Sequence, residues 1–293
     1  MKFARLILFV FLLFITTCGR GSGQSSSPTQ ASAYIQNKGS DTMVNLALAW
    51  AERYQAEHPD LSLSVTGGGS GTGIAALVNG TVDIANASRA MTADEIKQAE
   101  ANGITPVEFV VSRDAIAVVV NPENPVRRLT LQQVSDIYSG KINRWSEIGG
   151  DDRPIVRLSR ETNSGTHVYF LQTVIRLGDN NNKTLFSMDT LLLPSSEGII
   201  NEVRQNPNAI GYDGLGYIPR DLMGSLIAVA HDVKGPYVLP SIATVNDNSY
   251  PVARDLYMYT AGEPAGAIKD YINWILSPEA QTIVADLGFV PIK

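Results

Sequence analysis

One cysteine stands among 293 residues, so no internal disulfide can staple this chain. Histidine is nearly as scarce. His58, His167 and His231 lie far apart and lack metal-ligand spacing, and His58 before Pro59 reads as a solvated helix end. Basic residues are outnumbered, 23 Lys and Arg against 29 Asp and Glu, and the net charge of −6 argues against a nucleic-acid partner. A small anion stays open, because local donors and helix ends hold such a ligand whatever the total charge. No apolar run reaches the roughly 20 residues of a spanning helix. The glycine-rich "GGGSGTG" at 67–73 has Ile74 next, where a nucleotide-binding P-loop needs lysine. Gly68, Ser70 and Thr72 supply only half of a G-x-S-x-G nucleophile elbow, since the second glycine is absent.

What is present is an ordinary globular composition, 44% hydrophobic and 18% charged, sufficient for a sizeable core in more than one lobe. Lys2 and Arg5 precede the apolar run "LILFVFLLFI", and residues 1–17 read as a secretory signal peptide. Cys18 follows at once in "ITTC", a position resembling a bacterial lipoprotein acylation site. Ile15 and Thr16 fit that pattern, and Thr17 departs from the small residue usual before the cysteine. Lipid attachment at Cys18 is the expectation, with plain cleavage as the alternative. Residues 18–33, "CGRGSGQSSSPTQASA", then form a flexible linker. The protein is expected to be exported, at the periplasm or the outer face of the cytoplasmic membrane.

From Tyr34 the chain alternates strand-like runs with helical periodicity, which predicts an α/β fold with ligand loops at the carboxyl ends of the strands. "YIQN", "LSLSV", "VDIANAS", "VEFVVSRDAIAVVVNP", "IVRLSR" and "VARDLYMYT" read as strands. Thr92 with Glu95, and Thr130 with Gln133, have capping-box spacing, while Ser277 and Pro278 open a helix that Gly288 ends. Trp50, Trp145 and Trp274 are expected to pack cores or cover lobe surfaces.

Three loops repeat one theme at strand-to-helix passages: "GSDT" at 39–42, "GSGT" at 69–72 and "NSGT" at 163–166. Backbone N–H groups at a helix start have no intrahelical partner, and hydroxyls beside them complete an anion nest. A single such loop is more often a plain cap; three of them, two nearly identical in wording, point toward a common oxyanion. Arg89 in "NASRAM" and Arg160 in "RLSRETNSGT" stand at strand ends beside these loops, and a guanidinium matches a tetrahedral oxyanion bidentately. Asp41 and Glu161 lie in the same loops. A carboxylate acceptor there would favour hydrogen phosphate over fully ionised anions.

With these residues in place, the chain resembles the phosphate-binding proteins of bacterial ABC phosphate importers, the PstS family. The resemblance runs from "GSDTM" through "GGGSGTG", "VDIANASRAMT", "LTLQQVSDIYSGKINRWSEIGG", "RETNSGT" and "NAIGYDGLGYI" to "LSPEAQTIVADLGFVPI". It implies a two-lobed type II periplasmic-binding-protein fold, each lobe a mainly parallel sheet flanked by helices, with the ligand in the interlobe cleft. Lobe I is expected at 34–111 and 246–293, lobe II at 112–245. The implied phosphate ligands are Ser40, Asp41, Thr42, Ser70, Gly71, Thr72, Ser88, Arg89, Arg160, Ser164, Gly165 and Thr166. Some members have aspartate at the Arg89 position, where it accepts the phosphate proton; here Asp41 and Glu161 are the candidate acceptors. The implied activity is capture of inorganic phosphate for the membrane permease of an ABC importer by a monomer without cofactor, metal or catalytic residue. The segment 129–150 is expected in lobe II, with exposed parts that help dock the importer. Two other readings stay open: an extracytoplasmic phosphatase or phosphate-ester hydrolase using the same nest, and a phosphate sensor or adhesion protein.

Overall fold

Strand β4 (Pro106–Val120) is the spine of the molecule, and Ala115 to Val120 are buried on both of its faces. A computed structural model describes residues 33–292; the expected signal peptide, Cys18 and the expected linker up to residue 32 lie outside the described residues. Ala33, placed in the linker by its composition, opens the first strand.

Around β4 the chain-order strands are β1 (Ala33–Gly39), β2 (Leu61–Thr66), β3 (Ile84–Ala87), β5 (Arg128–Thr130), β6 (Val156–Arg160), β7 (Leu191–Leu193), β8 (Ala209–Gly214), β9 (Ala228–Ala230) and β10 (Ala253–Ala261). Seven of them join β4 in one sheet in the order β2-β1-β3-β10-β4-β8-β6-β7, while β5 and β9 pair separately. Pairing is parallel at each end of the sheet, among β2, β1 and β3 and among β8, β6 and β7. It is antiparallel through the middle, where β10 meets β3 and β4, and β4 meets β8. The partner of β4 changes abruptly, from β10 up to Ala115 to β8 from Ile116 onward.

Helices cover both ends of this sheet: α1 (Val44–Glu57), α2 (Ser70–Val78), α3 (Ala93–Ala101), α4 (Leu131–Tyr138), α5 (Gly165–Phe170, extended by a π-turn to Ile175), α6 (Ser196–Gln205), α7 (Ile242–Asn246), α8 (Gly266–Ile275) and α9 (Pro278–Asp286). Reciprocal capping boxes form at Thr92–Glu95 and Thr130–Gln133, and Ser277 caps α9 with Pro278 in the first turn. These caps satisfy N–H groups that the helices cannot satisfy themselves.

The apolar residues gather in separate cores. One joins Ile35, Met43, Trp50, Val111, Leu256, Tyr271 and Phe289, with a smaller cluster around Ile74, Leu77 and Tyr259 beside it. The other gathers residues from Ala115 to Val252 together with Val290, and includes Tyr138, Trp145, Phe170 and Tyr212. Trp50 and Trp145 are fully buried, and Trp274 packs partly buried on the first core. The segment 129–150 contributes Leu129, Val134, Ile137, Tyr138 and Trp145 to the second core. The donor loops lie at the seam where these two groups of elements face each other.

Candidate functional site

The first loop leaves β1 at Gly39. Ser40 is buried; its N–H donates to the Asn86 carbonyl at 2.8 Å, and its hydroxyl has no protein partner. Thr42 meets Thr166 of the third loop hydroxyl to hydroxyl at 2.8 Å. The second loop enters α2 through Gly69 at φ 94°, a conformation open to glycine but strained for other residues. Ser70 Oγ accepts the Ser88 N–H at 3.0 Å and sits 3.2 Å from Ser88 Oγ. In the third loop, Ser164 caps α5 by accepting the Thr166 N–H at 3.2 Å.

Facing loops are clamped together by backbone and side chain alike. The Gly71 N–H donates to the Asn163 carbonyl at 3.0 Å, and Asn163 Nδ2 donates to the Gly68 carbonyl at 3.0 Å and to Thr72 Oγ1 at 3.4 Å. Gly165 sits so close to Ser70 and Ser88 that a Cβ there would collide with both hydroxyls. Residues far apart in sequence thus converge: Ser40, Asp41, Thr42, Ser70, Gly71, Thr72 and Ser88 meet Arg160, Ser164, Gly165 and Thr166.

Arg160, 1% exposed, donates through Nη1 to Ser196 Oγ at 2.7 Å and through Nη2 to Asp41 Oδ2 at 3.1 Å and the Pro194 carbonyl at 2.9 Å. Its buried Nε has no protein partner, and Asp213 Oδ2 stands 3.7 Å from Nη1. Arg89 is differently employed. Its two terminal nitrogens grip the Glu95 carboxylate at 2.7 Å each, tying the end of β3 to the capping box of α3. Glu161 is exposed.

Four charged or polar residues that the loops alone did not reveal complete the cluster: Arg254, Asp114, Asp213 and Ser196. The Arg254 guanidinium donates to the Ser88 carbonyl at 2.9 Å, to Thr166 Oγ1 at 3.0 Å and to Asp114 Oδ2 at 3.1 Å. Burial pushes the Asp114 carboxyl up to about 6, with Arg254 opposing and the neighbouring Asp213 adding to the rise. Burial raises Asp213 as well, against the pull of Arg160. His167 lies on α5 with Nδ1 3.0 Å from Ser159 Oγ, and burial lowers its pKa, favouring the neutral ring. Among the described residues no group of His, Cys, Asp or Glu is arranged to hold a metal ion. The signal for Arg254 and Asp114 lay in "VARDLY" and "SRDAI", where charges interrupt apolar strands and period-two alternation turns one of each pair inward.

Chemically, the seam offers hydroxyls and guanidinium edges in a setting of low exposure, suited to an oxyanion. A family model described as a PBP superfamily domain matches residues 24–279; the chain belongs to that superfamily, and its α/β fold has the type II periplasmic-binding-protein architecture. Within it the chain is homologous to PstS-family proteins. It is 28% identical to the phosphate-binding protein PstS of Bacillus subtilis (strain 168), across 98% of this chain and 92% of that protein. A structure from Clostridium perfringens, assigned as a phosphate ABC transporter substrate-binding protein with bound phosphate, is 33% identical. It matches 89% of this chain and 100% of its own with a TM-score of 0.77. An ABC-type phosphate transport receptor from Vibrio cholerae is 27% identical, covering 87% of this chain and 99% of its own, with a TM-score of 0.69.

Proposed function

We propose that this chain is an extracytoplasmic receptor that captures inorganic phosphate between two lobes and delivers it to the permease of an ABC importer. The observation that carries this reading is the convergence of three Ser/Thr loops at a seam lined by buried Arg160 and Arg254, with Ser40 Oγ and Arg160 Nε both buried and unpartnered by protein. The ligand set is the hydroxyls of Ser40, Thr42, Ser70, Ser88, Ser164 and Thr166, the backbone at Gly71, Thr72 and Gly165, and Arg160. Arg254, tied to Ser88 and Thr166, takes the second-guanidinium role in this reading, while Arg89 stiffens the second wall through Glu95.

The separate cores support lobes that exchange chain near residues 112–115 and 252–256, with lobe I built on both ends of the described chain until Val290 joins the second core. Acylation of Cys18 after removal of residues 1–17 would tether a mobile monomer to the membrane surface; mass measurement of the mature amino-terminal peptide checks it. The segment 129–150 is offered as part of the face presented to the permease.

Titration calorimetry with phosphate, arsenate and sulfate tests the function. Phosphate is expected to bind and sulfate to bind more weakly; absence of phosphate binding, or tighter sulfate binding, overturns the reading. Arg160→Ala and Arg254→Ala should each weaken phosphate by at least ~10-fold, as loss of a charged hydrogen-bond partner predicts. Arg89→Ala should cost less than either.

A further inference from the structure

We propose that Asp41 is a positioning residue that latches the two lobes shut, and that it is not the acceptor of a phosphate proton; the proposal rests on the receptor reading above. Asp41 follows β1, in the half of the molecule built on the first core. Besides the Val44 N–H of its own short helix, which reaches the Asp41 carbonyl, the hydrogen bonds at its oxygens come from three separate elements of the other half. Arg160 Nη2 at the end of β6 donates to Oδ2 at 3.1 Å, and the Ser196 N–H at the start of α6 donates to the same oxygen at 3.0 Å. The Tyr217 hydroxyl, just beyond β8, donates to the Asp41 carbonyl at 2.7 Å.

The α6 contact is a helix cap supplied from across the seam. Ser195 already caps the helix by accepting the Gly198 N–H at 3.0 Å, which leaves the Ser196 N–H for a second acceptor. A carboxylate suits that position because it meets the positive end of the helix and an arginine together. Oδ2 is therefore committed to two cationic or dipolar donors. The other oxygen, Oδ1, lies against the backbone of the first lobe's own loop, 2.7 Å from where a Gly67 Cβ would stand. No hydroxyl of the three donor loops bonds to this carboxylate. Both Arg160 terminal nitrogens are in turn engaged by Asp41, Ser196 and Pro194. Separating the lobes would break all three Asp41 contacts at once and leave the Arg160 guanidinium held only by Ser196 and Pro194 of its own half. Closing them fixes that guanidinium against the ligand loops. With its side chain 20% exposed, Asp41 can be changed without opening a core cavity.

The experiment compares native protein with Asp41→Asn and Asp41→Ala, each checked for native circular dichroism. It reads phosphate and sulfate affinity, phosphate release rate by stopped flow, and small-angle scattering with and without phosphate. A latch predicts phosphate affinity reduced at least ~10-fold through faster release, sulfate discrimination unchanged, and a more expanded ligand-free profile for Asp41→Ala. Sulfate binding gained by Asp41→Asn to the level of phosphate would make Asp41 the proton acceptor and overturn the proposal. Unchanged release and unchanged scattering would overturn it too. Failure of the native protein to bind phosphate would instead remove the receptor reading; the latch is then judged on ligand-free scattering, where identical native and Asp41→Ala profiles sink it.

Discussion

Asp114, Asp213, Arg160 and Arg254 bring four ionisable side chains into the interior, each of them buried. Removing charges from water costs several kcal/mol per ion, so each must be paired or neutralised. Arg254 has Asp114 at 3.1 Å, whereas Arg160 divides its donors between Asp41 and neutral acceptors, and Asp213 stays 3.7 Å away with Oδ2 unpartnered. The two aspartates thus keep their protons more tightly than a carboxyl in water. For Asp114 the folded value of about 6 exceeds the ordinary 3.8. Its contribution to stability is therefore full below pH ~4 and is lost as pH rises through about 6. Asp114→Asn removes this titration while the cost of leaving Arg254 unpaired stays constant with pH. The stability of native protein relative to Asp114→Asn should fall by on the order of 2–3 kcal/mol between pH 4 and pH 7. Urea unfolding at pH 4, 5, 6 and 7 reads this; a difference flat with pH would mean that Asp114 titrates as if exposed.

At the scale of elements, local rules explain what was legible in the sequence. Thr92 with Glu95 and Thr130 with Gln133 cap α3 and α4 because a capping box depends on residues three apart, which a sequence displays directly. The three donor loops were legible for the same reason. The partners of those loops were not. Arg254 reaches Asp114 only because β10 pairs with β4 across 140 positions, and Ser196 reaches Arg160 because α6 starts where β7 ends. Arg89 illustrates the converse: its place beside the second loop was evident, but the Glu95 carboxylate that occupies it belonged, on sequence, to a helix cap. Gly165 joins both levels. It begins α5, where alanine is conformationally welcome, yet a Cβ would strike Ser70 and Ser88 from the opposite wall. Because that clash lies between lobes, separating them can relieve it. Gly165→Ala should therefore retain the native ligand-free melting temperature within about 2 °C while losing at least ~10-fold in phosphate affinity, a pairing checked by circular dichroism and calorimetry. A large drop in melting temperature would place the clash inside one folded body instead.

Across the whole molecule, one continuous sheet carries two cores, and β4 belongs to both because it exchanges β10 for β8 at Ala115 and Ile116. The central strands resist shearing through their hydrogen bonds, so relative motion of the halves is expected as bending about β4 and β10, beside the Asp114–Arg254 pair. An anion held by both walls stabilises only the closed arrangement, and its binding energy opposes unfolding of both halves together. At a ligand concentration 100 times the dissociation constant this linkage amounts to about 2.7 kcal/mol. For a chain of this size that corresponds to a rise in melting temperature of roughly 5 °C. Phosphate should move the whole unfolding transition by that amount as one cooperative step, and sulfate at equal concentration should move it much less. A biphasic trace in which phosphate shifts only one step would mean that a single lobe holds the anion, and the two-walled site would have to be abandoned.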